Sequence, residues 1–120
     1  MSRRVLVVDD EIALRYIVAR AFRDRGYDVV EAADGKAALD VARSASLPFD
    51  LVVTNSRMPH LDGPQLAEQL RQLYPRLPII HLSGSHRPHR MPDDVPTIFK
   101  PFNIWDLIDE AEGLMQQRGV

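Results

Sequence analysis

The sequence predicts an α/β domain built on a doubly wound, five-stranded parallel sheet. Short β-branched or aliphatic runs alternate with apolar residues at helical spacing about five times along the chain. The runs break off in polar residues, at Asp9-Asp10, Thr54-Asn55, Ser83 and Lys100. The chain of 120 residues is 45% hydrophobic and 27% charged, which is one domain's worth of core, expected to span 1–120.

Val5-Leu6-Val7-Val8 reads as a first, buried strand. Leu14, Ile17, Val18, Ala21 and Phe22 recur at helical spacing, and Gly26 ends that helix. Val29-Val30 begins a second strand; Asp34-Gly35 punctuates; Ala38, Val41, Ala42 and Ala45 mark a second helix. Leu51-Val52-Val53 is the third strand. Asp62 with Gln65 three residues on has the pattern of a capping box, and Leu66, Leu70 and Leu73 give the third helix its face. Ile79–Leu82 and Val95–Phe99 are read as strands four and five. Asn103 is an N-cap type, Asp106 suits a first turn, and Ile104, Leu107, Ile108, Ala111, Leu114 and Met115 make the last helix amphipathic. Between strands four and five, SGSHRPHRMPDD has Pro88 and Pro92 and no apolar period. A regular helix is not expected there, since an interior proline costs about 3 kcal/mol.

The formal net charge of -2 argues against a domain that coats nucleic acid. There is no cysteine, so disulfides and thiolate metal sites are excluded. The apolar run after Arg3-Arg4 is too short for a leader or a membrane span, and a cytoplasmic protein is expected.

Ligands in such folds bind beyond the C-terminal ends of the strands. That edge collects Asp9, Asp10 and Glu11, then Thr54-Asn55, Ser83 and Lys100. Clustered carboxylates repel one another and suit a hard cation such as Mg²⁺. An ammonium and a hydroxyl opposite them suit phosphoryl oxygens. Singly, each of these is more simply a helix cap or a turn; together, in this order, they point to phosphoryl chemistry. A glycine-rich nucleotide turn is missing after strand one, and the chain is too short for an aspartate-nucleophile phosphatase with its cap.

With those motifs in place, the chain resembles the receiver domain of two-component response regulators along its whole length. VLVVDDE at 5–11, DLVVTNSRMPHLDG at 50–63, LSG at 82–84 and IFKPF at 98–102 carry the resemblance. It implies a flavodoxin-like fold and a non-enzymatic role in phosphorelay signal transduction. It implies Mg²⁺ held by Asp10 directly, Asp9 through water and the Arg57 backbone carbonyl. Ser83, Lys100 and Thr54 would form the phosphoryl pocket, and a cis bond is implied before Pro101. The implied partners are a histidine kinase or a phosphotransfer protein, with the last helix as a possible homodimer contact and neither nucleic acid nor membrane bound directly.

Three departures accompany it. The phosphoacceptor aspartate aligns on Asn55, a neutral and poor nucleophile that also weakens Mg²⁺ binding. The aromatic switch residue aligns on Thr97. Ser83 and Lys100 are several positions closer than most receivers set them, so the fourth helix is expected to be short, irregular or absent. Two readings follow: a pseudo-receiver working by contact without phosphorylation, or a phosphoacceptor receiver whose aspartate has been substituted. Slow deamidation of Asn55-Ser56 is a third, which a rigid strand end disfavours.

His81, in a strand, reads as a satisfied core or rim histidine, and a metal site built from it with His60, His86 and His89 is the sharper alternative. Arg87 and Arg90 read as part of a solvated basic loop, with partner docking as the alternative. Trp105 lies off the apolar face of the last helix and is expected to cover neighbouring side chains. No output domain follows that helix, which suits either a lone receiver or a piece of a longer regulator or hybrid kinase.

Overall fold

The computed structural model describes residues 2–118. Five parallel strands, β1 (Arg4–Val8), β2 (Asp28–Ala32), β3 (Leu51–Asn55), β4 (Ile79–Ser83) and β5 (Thr97–Phe99), form one sheet in the order β2-β1-β3-β4-β5. Four helices connect or follow them: α1 (Ile12–Asp24), α2 (Gly35–Ser44), α3 (Gly63–Leu73) and α4 (Ile104–Arg118).

Period-two alternation sorts the strand side chains into two cores. Leu6, Val8, Val52 and Ile79 pack with Ala38, Leu39, Leu66 and Leu70 from α2 and α3. Val5, Val7, Val53, Ile80 and Leu82 pack on the other face with Val18, Phe22, Leu107 and Ile108 from α1 and α4. Both faces are covered, which is why the strands read as unbroken apolar runs.

Capping follows the sequence. Asp34 accepts from the Ala37 amide at the start of α2. Asp62 and Gln65 form a reciprocal capping box on α3, and Asn103 Oδ1 accepts from the Trp105 amide at the start of α4.

Two expectations need correction. The fourth helix in chain order is not short or absent: α4, with 15 residues, is longer than α1, with 13. Among the described residues there are four helices in all, and the chain from 84 to 96 runs through turns and bends. The fifth strand begins at Thr97, two residues later than its apolar pattern suggests. Val95 is buried, but its amide bonds the Pro92 carbonyl, and Pro96 has no N–H to give a ladder. The 84–96 connection is nonetheless anchored: Met91 and Val95 are buried in the core that α2 and α3 share.

Candidate functional site

Because all five strands are parallel, their C-terminal ends meet at one edge, where β1, β3, β4 and β5 deliver Asp9, Asn55, Ser83 and Lys100. Asn55 is the last residue of β3 and is buried. Its backbone is held by close packing. A Cβ on Gly63, at the start of α3, would lie 2.4 Å from the Asn55 carbonyl oxygen, so no side chain fits there. The Gly63 amide donates to the Ser56 carbonyl at 2.8 Å. Asp62-Gly63 thus caps a helix and lets that helix rest against the end of β3.

Every polar atom of the Asn55 side chain is engaged. Lys100 Nζ donates to Asn55 Oδ1 at 2.7 Å. Asn55 Nδ2 donates to the Arg57 carbonyl at 3.0 Å and makes a longer contact with Asp10 Oδ1 at 3.5 Å. The Lys100–Pro101 peptide is cis. An open polar depression of about 360 Å³ lies over this set, lined by Asn55, Arg57, Ser83, Ser85, His86 and Lys100 among others.

The two aspartates differ. Asp10 is exposed. Asp9 is buried; its Oδ1 accepts from the Glu11 amide at 2.9 Å, and its Oδ2 has no partner. Burial pushes the Asp9 carboxyl above its ordinary range, more than the Glu11 amide and Lys100 pull it down. Asp10 Oδ1 and the Arg57 carbonyl share a neighbour in the Asn55 amide nitrogen. Among the described residues, no group of three or more His, Cys, Asp or Glu side chains is placed to hold a metal ion, and the four histidines do not form one.

The two hydroxyls expected in the pocket have other partners. Thr54 is buried, and its Oγ1 donates to the Asn55 carbonyl at 3.0 Å. Ser83 lines the depression, but its Oγ donates to the His86 carbonyl at 2.7 Å and accepts from the Ser85 and His86 amides. Ser83 therefore closes the first turn of the β4–β5 connection.

Of the two arginines in that connection, Arg87 departs from the reading of a solvated loop, while Arg90, His86 and His89 are exposed. Arg87 is half-buried and reaches across it. Nη1 donates to the Val95 carbonyl and, at 2.8 Å, to Thr97 Oγ1; Nη2 donates to the Pro92 carbonyl at 2.6 Å. Arg90 is exposed and pairs with Asp62 at 3.3 Å. Thr97 Oγ1 also meets His81 Nδ1 at 3.1 Å. His81 is fully buried and only half satisfied, since its Nε2 has no partner. Burial, then the charge of Arg87, lowers its pKa to about 4 and keeps the ring neutral. Arg87 carried no signal in the sequence, because its acceptors are mostly backbone carbonyls.

Trp105 is 60% exposed, so it covers little. With Tyr16, Ile17 and Ile104 it lines a shallow apolar groove between α1 and α4. No helix among the described residues is long and apolar enough to cross a membrane.

Comparison with known proteins agrees with this geometry. The family profile of the response regulator receiver domain matches residues 5–112. The chain is 34% identical over 122 residues to the sensor kinase CckA of Brucella abortus, covering 98% of itself but only 13% of that kinase. It is 30% identical to the response regulator receiver protein CpdR of the same organism, covering 94% of itself and 97% of CpdR. Among solved structures, the receiver domain of the hybrid histidine kinase CckA is 35% identical, with a TM-score of 0.82 over 94% of this chain and 99% of that one. A CheY-like receiver domain from Methanospirillum hungatei, 23% identical, shares the fold with a TM-score of 0.89, covering 99% of this chain and 98% of that one. With the sheet order, the strand-end residues and the profile in agreement, the chain belongs to the response regulator receiver domain family of two-component signalling.

Proposed function

We propose that this chain is a receiver module that takes part in phosphorelay signalling by protein–protein contact, without being phosphorylated itself. The observation that carries this is the 2.7 Å bond from Lys100 Nζ to Asn55 Oδ1. Asn55 stands at the end of β3, where the motif places the phosphoacceptor, and Lys100 bonds an amide there. A neutral amide is a poor nucleophile, so no acyl phosphate forms at this position. Thr97, at the aromatic switch position, supports the same reading: its hydroxyl is bonded to Arg87 and His81.

Receiver domains generally bind Mg²⁺ at the phosphorylation site and interact with histidine kinases and phosphotransfer proteins. Here Asn55 withdraws one negative charge, so Mg²⁺ binds more weakly than beside an aspartate. The proposed partner is a histidine kinase or a phosphotransfer protein in the cytoplasm. The exposed Trp105 makes α4 a candidate homodimer contact. The module is not an enzyme and does not contact nucleic acid directly.

Incubation with acetyl phosphate or a cognate kinase and Mg²⁺, read by intact mass, is expected to add no phosphoryl group. Stable uptake at Asn55 would overturn the reading. The second reading, a phosphoacceptor receiver with its aspartate substituted, draws on Asp9, Asp10, Ser83 and Lys100 all being present. It requires the Asn55→Asp protein to take up phosphate with Mg²⁺, and failure to do so would exclude it.

A further inference from the structure

The oxygens that the family motif offers to a divalent cation here face an amide NH₂ group. Asn55 Nδ2 lies 3.0 Å from the Arg57 carbonyl oxygen and 3.5 Å from Asp10 Oδ1. At its other end, Asn55 Oδ1 accepts from Lys100 at 2.7 Å. Chemistry fixes this orientation. A reversed amide would set NH₂ against the Lys100 ammonium and oxygen against two further oxygens. The positive end of the amide dipole points at a carboxylate and a carbonyl, and the negative end points at an ammonium.

The residues present therefore do not fit Mg²⁺ as they stand. Mg²⁺ needs oxygens at about 2.0–2.1 Å in near-octahedral geometry. An ion held by Asp10 and the Arg57 carbonyl would have to expel the NH₂ group that faces both. That step would also strain or break the Lys100 contact, because the two ends of one rigid amide move together. We infer that the Asn55 amide nitrogen takes the place of the divalent cation, linking Asp10, two residues beyond β1, to the carbonyl of Arg57, two residues beyond β3, so that these two oxygens have their partner without metal.

This goes further than weakened binding by loss of charge. If charge alone mattered, removing the amide would not improve Mg²⁺ binding, since alanine is as neutral as asparagine. If the amide occupies the place of the ion, removing it opens that place to Mg²⁺. The role given to position 55 rests on the acceptor-less reading above, and the two can fail separately.

The experiment is an Mg²⁺ titration of the Asn55 chain, Asn55→Ala and Asn55→Asp, followed by backbone amide NMR shifts of residues 9–11 and 55–58. The Asn55 chain is expected to show no saturable shift at millimolar Mg²⁺. Asn55→Ala is expected to bind at least tenfold more tightly than the Asn55 chain, and Asn55→Asp more tightly still. Should the alanine protein fail to fold, Asn55→Ser withdraws the same NH₂ group and takes its place in the comparison. Equal affinity of the Asn55 chain and the alanine or serine protein would overturn the amide's role while leaving the acceptor-less reading intact. Phosphoryl uptake by the Asn55 chain would overturn the acceptor-less reading, whatever the titrations give.

Discussion

The pocket at the end of β3 and the connection between β4 and β5 lie side by side and are held in different ways. In the pocket, the Asn55 side chain bonds groups from three parts of the chain, and its backbone is wedged against α3 at Gly63. Along 84–96 there is no helix ladder; besides the buried Met91 and Val95, the Ser83 hydroxyl at one end and the Arg71–Asp94 pair near the other, one guanidinium gathers two carbonyls and a hydroxyl across the middle. Rigidity from close backbone packing fails when bulk is added. Rigidity from one polar hub fails when that hub is removed.

The largest effect is expected from adding bulk at the pocket. Gly63→Ala puts a methyl group 2.4 Å from the Asn55 carbonyl and 3.1 Å from the Ser56 Cα, both backbone atoms with little room to yield. Overpacking of this kind costs about 3 kcal/mol. Urea denaturation should show a lower midpoint at unchanged slope, with amide shifts spreading through 55–63. A neutral result would mean that α3 slides freely, and that the pocket is no stiffer than the connection.

Removing the hub comes next. Arg87→Met keeps the length of the side chain and loses bonds to Val95, Thr97 and Pro92. Bonds to a charged donor are worth about 1.5–3 kcal/mol, and the connection is near enough to solvent to recover part of the loss. A destabilisation of about 2.5 kcal/mol is expected, with faster hydrogen exchange and proteolysis confined to 84–96. Equal loss of protection around Asn55 would show that the two regions are one unit.

Acid probes the same connection through His81, whose ring meets Thr97 Oγ1. The folded chain holds this histidine near pKa 4, mainly by burial and then by the charges of Arg87, His86 and Lys100, with Asp62 opposing them. Unfolded, it titrates near 6.5. Between those values the unfolded state binds more protons, so stability falls as pH falls. From pH 7 to 5 the loss from this residue is about 2 kcal/mol. Urea melts at the two pH values check it, and His81→Leu should flatten the dependence. Arg87→Met should lessen it too, since one of the opposing charges is gone.

The strands and helices were legible because two covered faces make continuous apolar runs, and because capping residues such as Asp34, Asp62 and Asn103 announce helix starts. The strand-end set was legible because parallel strands put their polar terminations at one edge. Three features lay beyond the sequence, each for a physical reason. Val95 has the hydrophobicity of a strand residue, yet the missing amide of Pro96 delays pairing to Thr97. Arg87 sits in a run of prolines and histidines that resembles a solvated loop, and backbone carbonyls leave no trace in composition. The amide at position 55 can be read from one letter. That this amide aims its nitrogen at Asp10 and Arg57 needs the geometry.

The smallest effect is expected where the two regions touch. Arg90, in the connection, pairs with Asp62, the residue that caps α3 beside the pocket, at 3.3 Å. Both partners are substantially exposed, so water and salt screen the pair, and ordering a long side chain offsets most of what remains. Asp62 also keeps its main duty without Arg90, since the capping box uses the Gln65 amide and side chain. Arg90→Ala should therefore change stability by less than about 0.5 kcal/mol and leave hydrogen exchange at Asn55 untouched. A loss above 1 kcal/mol, roughly the most an exposed pair yields, would mean that this ion pair ties the connection to the pocket. The contrast between a packed region and a hub-held one would then give way to a single coupled network running from Lys100 through α3 to Arg87.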